Sequence, residues 1–200
     1  MFISAAGTAL IPAQENSDED VTCVQCHKVL KRQDVRPHVG KHILLARQKV
    51  PEPGLFEEIG TIMPCGYCGR SGTCSITLQK AATTHQQASD CASARSFSIA
   101  AALKGSKSTP CTNAPVLCML CPQDPKQKDR PAVWRYNMLQ HIHTSHTNHA
   151  PPSNIPPDEV TKITLITREE QVEVGVPEPY IQCDFRGRNS PPSFWGCERA

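Results

Sequence analysis

Residues 23–42 read CVQCHKVLKRQDVRPHVGKH and bring two cysteines and two histidines into one short segment. The cysteines share a two-residue gap, which lets one turn direct two thiolates at the same metal ion. The histidines are four residues apart, or about 400° along a helix, so both imidazoles leave the same helix face. The spacing therefore predicts a zinc site formed by Cys23, Cys26, His38 and His42.

The neighbouring residues predict where the helix begins and what it buries. Val29 and Val35 stand where a small zinc finger places its two core residues. We expect the helix to cover about residues 36–47, with Asp34 as its cap and Pro37 in its first turn, where proline is tolerated. Three consecutive apolar residues farther along this helix are expected to be partly exposed: Ile43, Leu44 and Leu45.

A second cysteine pair and a second histidine cluster occur later in the chain. The pair at residues 118 and 121 is followed by WRYNMLQHIHTSH at residues 134–146. On a helix, His143 leaves a different face from His141, so we expect His143 to be a spectator. The ligands predicted for this second Cys2His2 site are Cys118, Cys121, His141 and His146.

The segment between these two sites contains another Cys-x-x-Cys pair, CGYCG at residues 65–69. Its glycines allow the backbone amides to turn toward sulfur. A redox-active pair is disfavoured, because residues 69–72 (GRSG) are a poor start for the helix whose N-terminus lowers a thiol pKa. His85 and Cys111 remain alternatives for the last two ligand positions. The predicted four-thiolate site consists of Cys65, Cys68, Cys74 and Cys91.

Composition explains why the chain needs metal. The 200 residues include 11 cysteines, 8 histidines and 18 prolines, whereas Leu, Ile, Val and Phe together make up one residue in five. That share is at the border below which a chain buries too little apolar surface to fold alone. The repeated spacing and the odd cysteine count favour zinc over disulfides, and a reducing compartment. No apolar run approaches the ~20 residues of a membrane span, so no membrane partner is expected.

Basic residues concentrate where the ligand candidates lie. Residues 23–50 contain seven Lys and Arg residues against a single Asp, although the formal net charge of the chain is only +2. Basic side chains and helix-terminal amides near the start of the first helix can both reach phosphate. We therefore expect a nuclear protein that binds nucleic acid, with a cytosolic location and a protein-interaction module as the alternatives. The predicted phosphate contacts are Lys31, Arg32, Arg36 and Lys41.

Several motifs, in the order in which they occur, resemble a known family. The Cys/His zinc-finger proteins that mushroom-forming fungi encode in many copies are similar at RPHVGKHIL (36–44), MPCGYCG (63–69), PCTNAP (110–115), CMLCP (118–122) and WRYNM (134–138). The resemblance covers roughly residues 23–179. It implies C2H2-type zinc binding in an intracellular, nuclear protein and says little about mechanism.

The predicted fold class is a small, metal-stabilised α+β protein: serial zinc-finger-like modules with short helices, small hairpins and long loops. Closed four-ligand sites leave no position for a reacting water, so we expect neither enzymatic activity nor a small-molecule substrate. TREE at residues 167–170 has the spacing of a capping box and predicts a short helix. The predicted boundaries are a disordered acidic lead-in (1–22), a C2H2-like finger (23–50), a cysteine-rich module (63–110), a C2H2-like finger with a long loop (111–149), a Pro-rich linker with the short helix (150–180) and a disordered tail (181–200).

Overall fold

A computed structural model of the chain describes residues 19–80, 85–122, 127–146 and 163–182. Its helices are short and its sheets are small and antiparallel, which confirms a small α+β protein. None of the described helices is long and apolar enough to cross a membrane. The elements are β1 (Asp20–Thr22), β2 (Val29–Lys31), α1 (Val35–Arg47), β3 (Ile76–Lys80), β4 (His85–Ser89), α2 (Ile99–Lys104), β5 (Pro115–Val116), β6 (Asp129–Pro131), β7 (Val133–Trp134), α3 (Met138–Ser145) and α4 (Arg168–Val174).

The first cysteine pair lies in the hairpin between the antiparallel strands β1 and β2. Lys31 pairs with Asp20 at 2.8 Å, and Arg32 pairs with Glu19 at 2.9 Å. The lead-in predicted to be disordered as far as residue 22 is therefore ordered from residue 19, because its acidic end pairs with basic residues that follow the hairpin. Residues 1–18 lie outside the described residues.

Helix α1 begins close to the predicted residue, directly after a 3-10 turn at Arg32–Asp34. Asp34 occupies the N-cap position, but its side chain makes no capping hydrogen bond. Pro37 lies in the first turn, where the amide hydrogen that proline lacks has no intrahelical acceptor. The proline thus fits the helix without interrupting it.

The burial of α1 differs from the expectation for a free-standing finger helix. Ile43, Leu44 and Leu45 are 0%, 1% and 4% exposed, so the prediction that they are partly exposed is wrong. Val29 is 60% exposed, and the neighbouring Leu30 packs against the core in its place. The cause is that later parts of the chain cover the helix, through Tyr136, Val174, Val176 and Ile181.

Helix α4 belongs to this shared core. The backbone N–H of Glu170 donates to Thr167 Oγ1 at 3.2 Å, which confirms the predicted start of a short helix. The buried Glu170 carboxylate accepts hydrogen bonds from the Thr112 N–H at 2.9 Å and from the Tyr136 hydroxyl, and it lies 3.3 Å from the Arg135 guanidinium. The segment predicted to be a linker is therefore anchored at residues 163–182, whereas residues 147–162 and 183–200 lie outside the described residues.

The middle and last segments share a sheet with the strand order β4–β3–β6. Strand β3 pairs with β6 across the predicted boundary at residue 110. Trp134 on β7 packs against the middle cysteine turn so closely that a Cβ added at Gly66 would lie 2.4 Å from the indole. The Tyr67 ring meets the indole edge-on, with centroids 4.9 Å apart. The middle and last segments are thus packed together in the described residues and do not form separate modules.

Removing the Glu170 carboxylate tests how strongly α4 supports the core. Glu170→Ala should lower the free energy of unfolding by about 3–5 kcal/mol, because the Arg135 guanidinium, only 10% exposed, loses its carboxylate partner. Unfolding followed by circular dichroism at a fixed metal concentration measures this change. Glu169→Ala, at the exposed neighbouring position, is the control and should cost about 1 kcal/mol or less. Equal losses in the two variants would contradict the anchoring role.

Candidate metal centres

The first group gathers Cys23, Cys26, His38 and His42, with ligand atoms that all lie within 4.8 Å of one another. The β1–β2 hairpin presents the cysteines, and one face of α1 presents the histidines. Nε2 of His38 lies 3.2 Å from Cys26 Sγ and 3.1 Å from His42 Nε2. The structure therefore brings together the four residues that the spacing singled out.

Hydrogen bonds in the first group shift the pKa values of Cys23 and His42 toward their charged forms. Burial raises the pKa of the Cys23 thiol, but hydrogen bonds with His38 and His42 outweigh burial and lower this pKa to about 5. Burial lowers the pKa of His42, whereas hydrogen bonds with Cys23 and Glu52 raise it to about 10. Glu52 Oε1 lies 2.8 Å from His42 Nδ1, which leaves Nε2 facing the group. A thiolate, the form that binds metal, is thus favoured at neutral pH.

The middle group gathers Cys65, Cys68, Cys74 and Cys91, whose sulfur atoms also lie within 4.8 Å of one another. The sulfurs of Cys68 and Cys74 are 3.6 Å apart, and the N–H of Tyr67 points to Cys65 Sγ at 3.5 Å. The hydrogen bond between Cys65 and Cys68 raises the pKa of Cys65 and lowers that of Cys68. Four sulfurs this close to one another form a donor set whose negative charge a cation could neutralise.

The two alternative ligands for the middle group lie elsewhere. His85 is exposed at the start of β4. Cys111 is buried beside Gly40, where an added Cβ would be 2.4 Å from the sulfur. Neither residue belongs to a group of potential metal ligands in the part of the chain that the structure describes. The geometry therefore favours Cys74 and Cys91 for the last two positions.

The first and middle cysteine pairs lie in turns of the same kind. In each turn, the N–H of the first cysteine donates to the carbonyl five residues later at 2.9 Å, and the N–H four residues later donates back to the cysteine carbonyl. The residue after the second cysteine has a positive φ, 57° at His27 and 68° at Gly69. Glycine adopts this conformation without strain. At the corresponding position of the first turn, the His27 ring stacks on Phe56 with centroids 4.1 Å apart.

The third group gathers Cys118, Cys121, His141 and His146. Cys121 Sγ lies 3.3 Å from His141 Nε2 and 3.4 Å from His146 Nε2, and Cys118 Sγ is 3.4 Å from His146 Nε2. Helix α3 carries His141, and His146 is its C-cap residue. His143 is exposed on α3 outside the group.

Six close donor–donor separations in the three groups are near the edge lengths of a tetrahedron around one ion. With metal–sulfur distances of ~2.3 Å and metal–nitrogen distances of ~2.0–2.1 Å, a tetrahedral ion separates two sulfurs by ~3.8 Å, sulfur and nitrogen by ~3.5 Å and two nitrogens by ~3.3 Å. The corresponding contacts here are 3.6 Å, 3.2–3.4 Å and 3.1 Å. Each group is therefore positioned to hold a metal ion with four protein donors.

Arg36, one of the predicted phosphate contacts, has a structural role. Its side chain is buried and donates to the carbonyls of Cys111 and Asn113, both at 3.0 Å. The guanidinium also lies over the Phe97 ring, 4.9 Å from its centroid. Arg36 therefore ties α1 to later segments and is not exposed to a phosphate.

The other three predicted phosphate contacts lie nearer the surface. Lys31 is exposed and pairs with Asp20. Arg32 donates to Glu19 and to a backbone carbonyl, and its side chain is only 15% exposed. Lys41 is exposed on α1. Lys31 and Lys41 are thus the two of the four that the structure leaves most open to solvent.

Two residues that shape these groups were not predicted from the sequence. Glu52 lies in VPEPG at residues 50–54, a composition typical of a linker. A carboxylate flanked by two prolines on a fixed backbone is the signal that could have revealed it. Gln25 carries no such signal, because its partner at the middle turn is far away in sequence. Trp134, by contrast, was expected to be a core residue, and it is 4% exposed.

Comparison of the chain with protein-family models, curated proteins and solved structures finds no match. The resemblance to fungal zinc-finger proteins stays a prediction. The function therefore has to be argued from the geometry of the groups themselves.

The carboxylate behind His42 should strengthen metal binding at the first group. Glu52→Gln is expected to weaken binding there by about 10–100-fold, because it removes the charge that orients the ring while keeping the side-chain size. Chelator competition with a native mass spectrometry readout measures the change. Glu58→Gln, at an exposed position of the same loop, is the control and should leave the affinity unchanged. An unchanged affinity in Glu52→Gln would rule out this orienting role.

Proposed function

We propose that each of the three groups binds one zinc ion and that these ions hold the fold together. Tetrahedral sets of thiolate and imidazole donors suit zinc, whereas magnesium and calcium prefer oxygen. The nine described cysteines form no disulfide, which is compatible with a reducing compartment such as the nucleus or cytosol. A structural zinc site supplies an apparent ~10–16 kcal/mol, comparable with the whole stability of a typical domain.

The same donor sets argue for a structural role of the zinc. Catalytic zinc has three protein ligands and keeps one position for water or substrate, whereas each group here offers four donors. We therefore propose neither an enzymatic activity nor a small-molecule substrate. The observation that carries the proposal is the gathering of twelve Cys and His side chains into three groups, each with four donor atoms within 4.8 Å of one another.

For the partner, we propose nucleic acid contacted through its phosphates, in the nucleus. The support is the basic excess of residues 23–50 together with the exposure of Lys28, Lys41 and Lys49. Burial of α1 removes the helix face with which a finger reads bases in the major groove, so base readout is not part of the proposal.

A zinc-stabilised protein-interaction module is the second candidate. The observation in its favour is the exposure of large apolar side chains, at 60% for Val29, 73% for Phe56 and 66% for Ile62. Phosphate binding depends on salt and tolerates any sequence, whereas an apolar interface with a protein depends on neither charge nor the phosphate backbone. A salt titration therefore separates the two candidates.

Metal content tests the zinc proposal. Native mass spectrometry should show three zinc ions, and Cys74→Ser and Cys91→Ser should each leave two. Cys111→Ser should keep three, because its sulfur lies outside the groups. In the third group, His146→Ala should leave two ions, whereas His143→Ala should keep three. Three ions in Cys74→Ser and two in Cys111→Ser would show that the middle assignment is wrong.

The salt dependence of duplex binding tests the proposed partner. The triple variant Lys28→Ala, Lys41→Ala, Lys49→Ala should weaken binding evenly across sequences and flatten the slope of log affinity against log salt by roughly one unit per lost phosphate contact. The control is Lys104→Ala, Lys107→Ala, Lys128→Ala, which removes equal charge from exposed sites elsewhere.

Zinc content is measured in both variants, so that a loss of fold is not mistaken for a loss of contacts. Equal slopes for the wild type and the first variant, or no binding at low salt, would reject phosphate contact through this segment. That outcome would favour the protein-interaction candidate.

A further inference from the structure

One fully buried side chain contacts both the first and the middle group. Gln25 lies between the two cysteines of the first turn and is 0% exposed. Its Nε2 donates to the Cys68 carbonyl at 2.5 Å, and the Cys23 thiol lies 3.5 Å from its Oε1. A ligand residue from each of two metal groups therefore shares the same amide.

The Cys68 carbonyl is at the centre of the middle turn. The peptide that follows it leads into Gly69, whose N–H donates to the Cys65 carbonyl at 2.7 Å. The Gly69 carbonyl in turn accepts from the Gly60 N–H at 2.8 Å. A hydrogen bond to the Cys68 carbonyl thus fixes the part of the backbone on which two ligand sulfurs depend.

Packing leaves little freedom to the Gln25 side chain. A Cβ added at Gly69 would lie 2.8 Å from Gln25 Nε2 and 2.9 Å from its Cδ, so the amide fills the space above this glycine. The main-chain carbonyl of Gln25 accepts a hydrogen bond from the Phe56 N–H at 2.6 Å, and this bond holds the first turn to the following loop. A second link, the Arg70–Glu57 ion pair at 2.7 Å, is about half exposed and hence weak.

We infer that Gln25 is a positioning residue that couples metal binding at the first and middle groups. The inference rests on the proposed function, since both groups have to bind metal. A metal ion at the first group orders the turn that carries Gln25, and the amide then holds the Cys68 carbonyl in place. The middle group loses less conformational entropy when it binds its own ion, and by linkage the effect is reciprocal.

The third group provides an internal reference. It has the same Cys2His2 donor set as the first group, and Gln25 makes no hydrogen bond to it among the described residues. Trp134 packs against the middle turn and links the third group to it without involving Gln25. Coupling through Gln25 should therefore change the metal affinity of the first group relative to that of the third.

Cadmium NMR on the full chain tests the coupling, because four-sulfur and two-sulfur sites give separate signals and single-ligand variants assign each one. At sub-stoichiometric cadmium, Cys74→Ser disables the middle group and should lower the affinity of the first group relative to the third by about 5-fold or more. In a Gln25→Met background, which keeps the side-chain length but removes both polar atoms, Cys74→Ser should not change this ratio. Gln33→Met, at an exposed glutamine of the same segment, is the control and should retain the full effect.

A second measurement needs no variant. When the wild type is half saturated with zinc, native mass spectra should contain fewer singly loaded molecules than independent sites would give. The coupling would be overturned if Cys74→Ser left the affinity of the first group relative to the third unchanged. It would also be overturned if Cys74→Ser changed this ratio equally in the wild-type and the Gln25→Met background. In either case the three groups would bind metal independently. A wild type that binds no metal at the first or the middle group would reject the proposed function, and the coupling with it.

Discussion

Four sulfur atoms in the middle group lie within 4.8 Å of one another, and the other two groups place two sulfurs and two imidazoles equally close. Thiolates at this separation repel each other, so they can stay close together only where positive charge neutralises them. A dication would attract all four sulfurs at once and fix their geometry. The turns, the start of α1 and the position of α3 all follow from bringing these atoms to one point.

Close contacts at three glycines, which have no side chain, then join distant segments into one core. Gly40 admits the Cys111 sulfur, Gly66 admits the Trp134 indole and Gly69 admits the Gln25 amide, and a Cβ at any of them would lie less than 3.0 Å from its neighbour. Each contact joins segments that are far apart in sequence. Apolar content alone did not suggest such a core, yet eight of the thirteen residues of α1 are buried. The glycine contacts let these distant segments pack closely together.

Local spacing carried most of the site prediction, whereas long-range packing was not predictable from one sequence. Two residues between paired cysteines, and three or four between paired histidines, set geometry within a single turn, and the structure brings those side chains together. The capping signal before Glu170 is equally local and predicted the start of α4. The burial of Leu44 and Arg36 depends on packing by segments within residues 111–181, and no local spacing pattern predicts this packing. The contact between the Glu52 carboxylate and His42 likewise depends on tertiary packing that the local sequence does not predict.

The burial of α1 also changes what recognition by this chain can involve. A finger that reads bases needs one helix face free to enter the major groove, and here that helix forms the centre of the core. Arg36, which lies near the start of α1, is already bound to two carbonyls and an aromatic ring. Basic residues that remain at the surface can contact a phosphate backbone but carry no information about sequence. If nucleic acid is the partner, specificity has to come from the shape of the partner, since the helix that usually supplies it is buried in the core.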